Sequence, residues 1–259
     1  MGKIIAVVNQ KGGVGKTTTT VNLTSALGAC GKRCLLVDVD PQGNATSGLG
    51  ISKKESMIST YELLIGNAQP QNAVQHTAFR NLDLLPAGIR LAGAEIEMVD
   101  VNRRESRLTA TLAPLRDQYD FILIDTGPSL GMLNISVLNA TDEILIPVEP
   151  TSFGIEGLGI FMEHYKSIKK YNKYLDILGI VLNKVDLREN LSTDVPKVIE
   201  ATFGDKILKT KILIDSNIKN AQWVNMPLAV YAKENNKNSR AVKNFESLAK
   251  EVIKIVKER

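Results

Sequence analysis

The stretch Ile4–Thr20, IIAVVNQKGGVGKTTTT, constrains the fold of this 259-residue chain more than any other. Ile4 to Val8 is a short apolar, β-branched run and reads as a buried strand. Asn9 to Gly15 is rich in glycine, and Lys16 to Leu27 reads as a helix. Strand, glycine loop and helix in that order make a cradle for phosphate. The glycines let backbone N–H groups approach anionic oxygens, and the helix N-terminus adds unpaired donors and a positive dipole. Gly12, Gly13, Val14 and Gly15 would form the cradle. Lys16 would reach the β- and γ-phosphates of a nucleotide, Thr17 would ligate Mg²⁺, and Thr18 would follow in the first helical turn. The strict G-x-x-x-x-G-K-[ST] pattern is not met. Gln10 stands at its first glycine, and Lys11 adds a second lysine at the loop entrance.

The remaining apolar runs supply a sheet for such a loop. Cys34–Asp38, Leu82–Ala87, Tyr119–Asp125, Glu143–Val148, Ile177–Leu182 and Ile207–Ile214 read as strands or extended segments. Several are continuously apolar, as parallel strands buried on both faces are. Helices are expected near Ser59–Leu64, over Leu91–Leu115 with a break at Asp100–Asn102, and over Phe153–Lys170, Thr193–Phe203 and Ser239–Lys257. In the last of these, Val242, Phe245, Leu248, Ala249, Val252, Ile253 and Val256 repeat at helical spacing and predict a core-facing stripe. The alternation implies an α/β fold, a doubly wound and mostly parallel sheet with helices on both faces, in one domain spanning 1–259. Two strands end in carboxylates, Asp38-Val39-Asp40 and Asp125, at the edge where open α/β sheets bind ligands. Such groups suit metal handling and the positioning of water.

Composition excludes other chemistries. With 44% hydrophobic and 23% charged residues the chain can bury a large core. Cys30 and Cys34 have neither metal-ligand nor secreted-disulfide spacing, and read as buried free thiols of a reducing compartment. Two histidines, His76 and His164, make zinc or imidazole chemistry improbable. No apolar run approaches the roughly 20 residues that span a bilayer, and the N-terminus enters the first strand directly, so a cytoplasmic location is expected. Residues 1–150 carry 13 Lys and Arg against 15 Asp and Glu, whereas 151–259 carry 19 against 13. The net charge of +4 therefore comes from the second half, the candidate surface for an anionic partner.

KGGVGKT at 11–17, DVDPQGNATSGLG at 38–50, LAGAEIE at 91–97 and DTGPS at 125–129 together resemble the ParA/Soj family of chromosome and plasmid partition ATPases, with its deviant phosphate loop. The similarity runs nearly end to end and weakens after about Ile214. It implies ATP and Mg²⁺ on residues 12–18, with Lys16 on the phosphates, Thr17 on the metal, Asp125 on metal-bound water and Asp38 supporting the metal shell. Asp40 matches the aspartate that orients attacking water. Lys11 matches the lysine that reaches the partner's phosphates in a nucleotide-dependent homodimer. Asn183 and Asp215 fall near the base. Arg188 aligns with an arginine implicated in non-specific binding of double-stranded DNA, and Lys219 stands where another arginine is usual, with Lys243 and Lys250 on the last helix as further candidates. A ParB-like centromere-binding protein would stimulate slow hydrolysis, and the protein would associate with the nucleoid.

Three features depart from the family: Gly127 for a common proline, Asp215 for another, and the run Asn220–Pro227. Other readings stay open at this level. A MinD-like positioning ATPase would use the last helix on a membrane surface. Asn183-Lys184-Val185-Asp186 has the N-K-x-D form that reads guanine. A metal carrier of this superfamily would normally show Cys-x-x-Cys, which is absent.

Overall fold

The computed structural model describes residues 1–53, 57–129, 131–170, 172–188 and 203–259. Its strands are β1 (Lys3–Val7), β2 (Cys34–Asp38), β3 (Gln75–His76), β4 (Leu82–Leu85), β5 (Phe121–Asp125), β6 (Glu143–Val148), β7 (Asp176–Val185) and β8 (Ile207–Leu213). They form one sheet in the order β3-β4-β2-β5-β1-β6-β7-β8, and every neighbouring pair is parallel except β3–β4. The fold is the doubly wound α/β class expected. Strand β1 lies between β5 and β6, so successive crossovers leave it in opposite directions and open a crevice above its carboxyl end.

Helices α1 (Lys16–Ala29), α2 (Asn44–Gly48), α3 (Thr60–Ile65), α4 (Pro70–Ala73), α5 (Ala94–Glu97), α6 (Arg107–Leu112), α7 (Met132–Ala140) and α8 (Ser152–Ile168) precede β7. After β8 come helices Ser216–Trp223 and Leu228–Glu234, and then the final helix, Arg240–Glu258. Side chains alternate across the sheet. Ile4, Ala6 and Val8 enter the core that also holds Ile122, Ile124 and Phe161. Ile5 and Val7 enter a second core with Leu23, Leu27, Phe245 and Leu248. Covering both faces is what permits uninterrupted apolar strands.

The stripe on the final helix is buried at Phe245, Leu248, Ala249 and Val252, with Val242, Ile253 and Val256 packed beside them. The apolar face that a membrane-surface helix would need is thus already occupied. The same helix covers the open edge of the sheet. The Glu251 carboxylate accepts from the backbone N–H of Lys209 at 2.7 Å and of Thr210 at 3.0 Å, and Asn244 Oδ1 accepts from Leu213 N at 3.2 Å. Those edge donors would otherwise invite pairing with another chain.

Some expectations change. The helix expected over Leu91–Leu115 is a series of short turns, because Arg103 takes a left-handed φ of 55° and Pro114 cannot continue α6. Cys30 is exposed at the end of α1, and only Cys34 is buried. The helix expected over Thr193–Phe203 lies outside the described residues, Phe203 apart. Strand β3 and the two helices between Ser216 and Glu234 were not expected. Among the described residues, no helix is long and apolar enough to cross a membrane.

Candidate nucleotide site

The loop between β1 and α1 is built from backbone outward. Gly13 and Gly15 have φ of 79° and 90°, a region that residues with a side chain rarely occupy. A Cβ on Gly15 would also collide with the Asn183 side-chain amide. That amide donates to Val14 O at 2.7 Å, while Asn183 Oδ1 accepts from Lys184 N at 3.0 Å. Asn183 therefore props the loop from the end of β7. Asn9 does the same from the other side, donating to Pro147 O at 2.8 Å and accepting from Lys11 N at 2.9 Å.

A cavity of about 700 Å³ opens over this loop. Gly12, Gly13, Gly15, Lys16, Thr17, Thr18, Asp40, Asn183, Asp215, Lys219 and Gln222 line it. A Cβ added at Gly12 or Gly13 would meet no protein atom within 4 Å, so the cradle is open to a ligand. The Lys16 ammonium donates to Lys11 O at 3.2 Å. Burial pushes that ammonium below the usual lysine range, against the pull of Asp125 and Asp40. A triphosphate would supply the negative charge that this buried cation lacks.

Asp38 and Asp125 end neighbouring strands but differ in their partners. Asp38 Oδ1 accepts from Asp40 N at 3.1 Å, and its Oδ2 accepts from both the N–H and the hydroxyl of Thr46 at 2.7 Å. Both oxygens thus brace the loop that carries Asp40. Asp125 Oδ1 lies 3.0 Å from the Thr20 hydroxyl, and its buried Oδ2 has no partner. Burial and then the neighbouring Asp38 raise the Asp125 carboxyl well above the usual carboxylate range, while the Thr17 and Thr20 hydroxyls pull the other way. An orphaned carboxylate oxygen beside Thr17 fits a divalent cation, which would restore the missing charge balance. Oxygen donors are also what Mg²⁺ takes.

Asp40 lines the cavity, with Oδ1 accepting from Gln42 N at 2.9 Å. Gly127, on the loop after β5, packs beside it, and a Cβ there would lie 3.4 Å from Asp40 Oδ1, an ordinary contact. Asp215 faces the cavity, but its carboxylate joins two helices. Oδ1 accepts from Asn217 N and Nδ2, both at 2.9 Å, and Oδ2 from Ser239 Oγ at 2.7 Å and Ala241 N at 3.3 Å. Its carboxylate thereby braces the cavity wall. Burial would raise this carboxyl, yet the hydrogen bonds outweigh it and hold it below the usual range.

The N-K-x-D run does not assemble as a base reader. Asp186 does not line the cavity, and Arg188 grips its carboxylate, Nη2 to Oδ2 at 2.6 Å and Nε to Oδ1 at 3.0 Å. That fork holds the Asp186 carboxyl well below its ordinary range. Lys219 sits on the cavity rim, whereas Lys243 and Lys250 are exposed on the outward face of the final helix.

Sequence reasoning missed four participants. Thr20 could have been found, since the run Thr17–Thr20 puts a second hydroxyl one helical turn inward. Gln222, whose amide donates to Thr18 Oγ1 at 2.9 Å, lies 204 residues away with no motif to announce it. Glu149 and Lys184 form an ion pair of 2.6 Å beside the loop, also without a motif.

With this geometry in place, likeness to known proteins becomes informative. A family model described as an AAA domain matches residues 2–177. The chain is 44% identical over 253 residues to the sporulation initiation inhibitor protein Soj of Bacillus subtilis, covering 97% of this chain and 98% of the relative. It is 39% identical over 254 residues to the chromosome-partitioning ATPase Soj of Treponema pallidum, covering 98% of each. Among solved structures, cobyrinic acid a,c-diamide synthase from Mycobacterium smegmatis, with bound ATP analog and magnesium, superposes with a TM-score of 0.81. That pair is 31% identical over 96% of this chain and 93% of the other. The shared fold thus extends to a synthase that binds an ATP analog, while the higher identities lie with the Soj proteins.

Proposed function

The chain belongs to the Soj/ParA family of partitioning ATPases, and from that premise we propose that it is a DNA-segregation switch. It is an ATPase that uses ATP and Mg²⁺. In the proposed cycle ATP closes two subunits face to face, the dimer holds DNA without sequence preference, and hydrolysis, speeded by a ParB-like partner, releases it. The observation that carries the reading is the open glycine cradle with a buried lysine on one side and an orphaned Asp125 oxygen on the other.

Residues 12–18 would hold the triphosphate, Lys16 by its ammonium and the loop by backbone N–H groups. Thr17 and Asp125 would hold Mg²⁺, which when bound neutralises charge between the β- and γ-phosphates. Asp40 stands at the cavity wall, braced by Asp38 through its N–H, where it would orient the attacking water. Lys11 would add positive charge at the partner's γ-phosphate. Phosphoryl transfer needs mainly positioning and charge neutralisation, so this set suffices for slow turnover. DNA would be held through phosphate by Arg188, Lys219, Lys243 and Lys250. The buried stripe of the final helix favours this over the membrane-surface alternative.

The test is ATP turnover by the purified protein alone, with DNA, and with DNA plus the ParB-like protein of the same genome. Slow basal hydrolysis, raised by DNA and partner together and abolished in Lys16→Ala, is expected. Turnover that ignores both additions would contradict the switch.

A further inference from the structure

Glu149, just past the end of β6, serves two lysines at once. Its Oε1 lies 2.6 Å from Lys184 Nζ, and its Oε2 lies 4.0 Å from Lys11 Nζ. The three residues come from three segments that meet at the carboxyl edge of the sheet: the loop after β1, the loop after β6, and the end of β7. Lys184 holds a left-handed φ of 54°, rare for a residue with a full side chain. Such conformations persist where surrounding contacts enforce them. Here Asn183 Oδ1 accepts the Lys184 N–H and Glu149 takes its ammonium. The Lys11 ammonium also lies 5.8 Å from the centre of the Phe153 ring. Lys11 is therefore seated on its own subunit, against a carboxylate and an aromatic face.

A lysine that acts on a partner's phosphates cannot stay on its own carboxylate. We propose that Glu149 is the resting seat of Lys11, and that Lys184 sets how firmly Lys11 is held there. This rests on the reading in which Lys11 works across the dimer. Lys184 takes the nearer oxygen and shares the carboxylate charge, leaving Lys11 at the longer distance and one-third exposed. When Lys11 departs, Lys184 keeps Glu149 paired, so no bare carboxylate is left beside the triphosphate. Without Lys184, Glu149 has, among the described residues, Lys11 alone to pair with and holds it harder. Glu149 and Lys184 are positioning residues, acting through Lys11.

The dimer dissociation constant decides this, measured by sedimentation velocity with saturating Mg²⁺ and a non-hydrolysable ATP analogue. Glu149→Gln is expected to tighten the dimer about three- to ten-fold, and Lys184→Met to weaken it by a similar factor, as partly exposed ion pairs allow. The double variant should match Glu149→Gln, because Lys184 acts only through that carboxylate. Salt should shrink the gain in Glu149→Gln. If both single variants weaken the dimer, or the Lys184→Met effect persists beside Glu149→Gln, the pair is merely structural and the proposal is overturned. Lys11→Ala is the separate arm. Normal dimerisation there would reject the action of Lys11 across the dimer, whereas lost dimerisation with an inert Glu149→Gln would reject only the resting seat.

Discussion

Asp38 and Asp125 are register partners on the adjacent parallel strands β2 and β5, yet only Asp125 keeps an oxygen without a partner. The two carboxylates look equivalent along the chain, and their hydrogen bonds separate them. Asp38 accepts from Thr46 and the Asp40 N–H, whereas Asp125 keeps one oxygen that a cation would fit.

Opposite outcomes follow for their amide variants. Asp125→Asn removes a buried acid with one unpartnered oxygen, so its melting temperature without ligand should stay near the parent's or rise. The extra stabilisation that Mg²⁺ adds to bound ADP, about 2.7 kcal/mol at a hundred times the dissociation constant, should disappear. Asp38→Asn should instead cost about 1–3 kcal/mol without any ligand, because the amide keeps one acceptor oxygen and sets an NH2 against the donors of the other. Thermal melts with ADP, with and without Mg²⁺, read both effects.

Gly15→Ala should be severe. The left-handed φ alone costs about 1–2 kcal/mol for alanine, and the new methyl group pushes into the Asn183 amide. Nucleotide affinity should fall at least about tenfold, since the loop and its prop must both shift. Titration of a fluorescent ATP analogue into Gly15→Ala checks this, and affinity equal to the parent's would contradict the described loop.

Asp215 gives a pH-dependent stability. Its folded-state carboxyl is held below the usual range, so the stability it contributes is present above the unfolded-state value and is lost as pH falls through the folded-state value. Asp215→Ala removes a joint cap of two helices and should cost about 1–3 kcal/mol at neutral pH. Denaturant unfolding of the parent and of Asp215→Ala should converge in acid. A gap that stays constant would show the carboxylate charge to be irrelevant.

Much of this architecture was legible because its causes are local. β-Branched apolar runs announce buried strands, and the glycines and lysines of 11–17 announce the phosphate loop. Asp125 was legible as a carboxylate delivered to the sheet edge, but its spare oxygen was not, since that depends on where Thr20 and Asp38 point. Asp215 was placed correctly beside the cavity while its task was hidden, because Ser239 and Ala241 approach it only after folding. The stretch from Leu91 to Leu115 looked like helix with a single break at Asp100–Asn102, whereas it is several short turns. A left-handed Arg103 and Pro114 interrupt it.

The final helix separates stability from binding on its two faces. Leu248→Ala should cost about 2–5 kcal/mol, as expected for a fully buried leucine. Exposed Lys250→Ala should change stability by less than about 0.5 kcal/mol. It should weaken DNA binding equally across sequences and lower the salt slope by about one. Unfolding curves and salt-resolved DNA titrations of the two variants separate these effects.

The most direct measurement is DNA binding by the purified protein with ATP, with ADP and without nucleotide, at two salt concentrations, beside Lys16→Ala and Arg188→Glu. Binding that requires ATP, falls steeply with salt and is lost in both variants is the predicted result. Binding of equal strength in all three nucleotide states, or none in any, would contradict a switch in which the phosphate loop controls the hold on DNA.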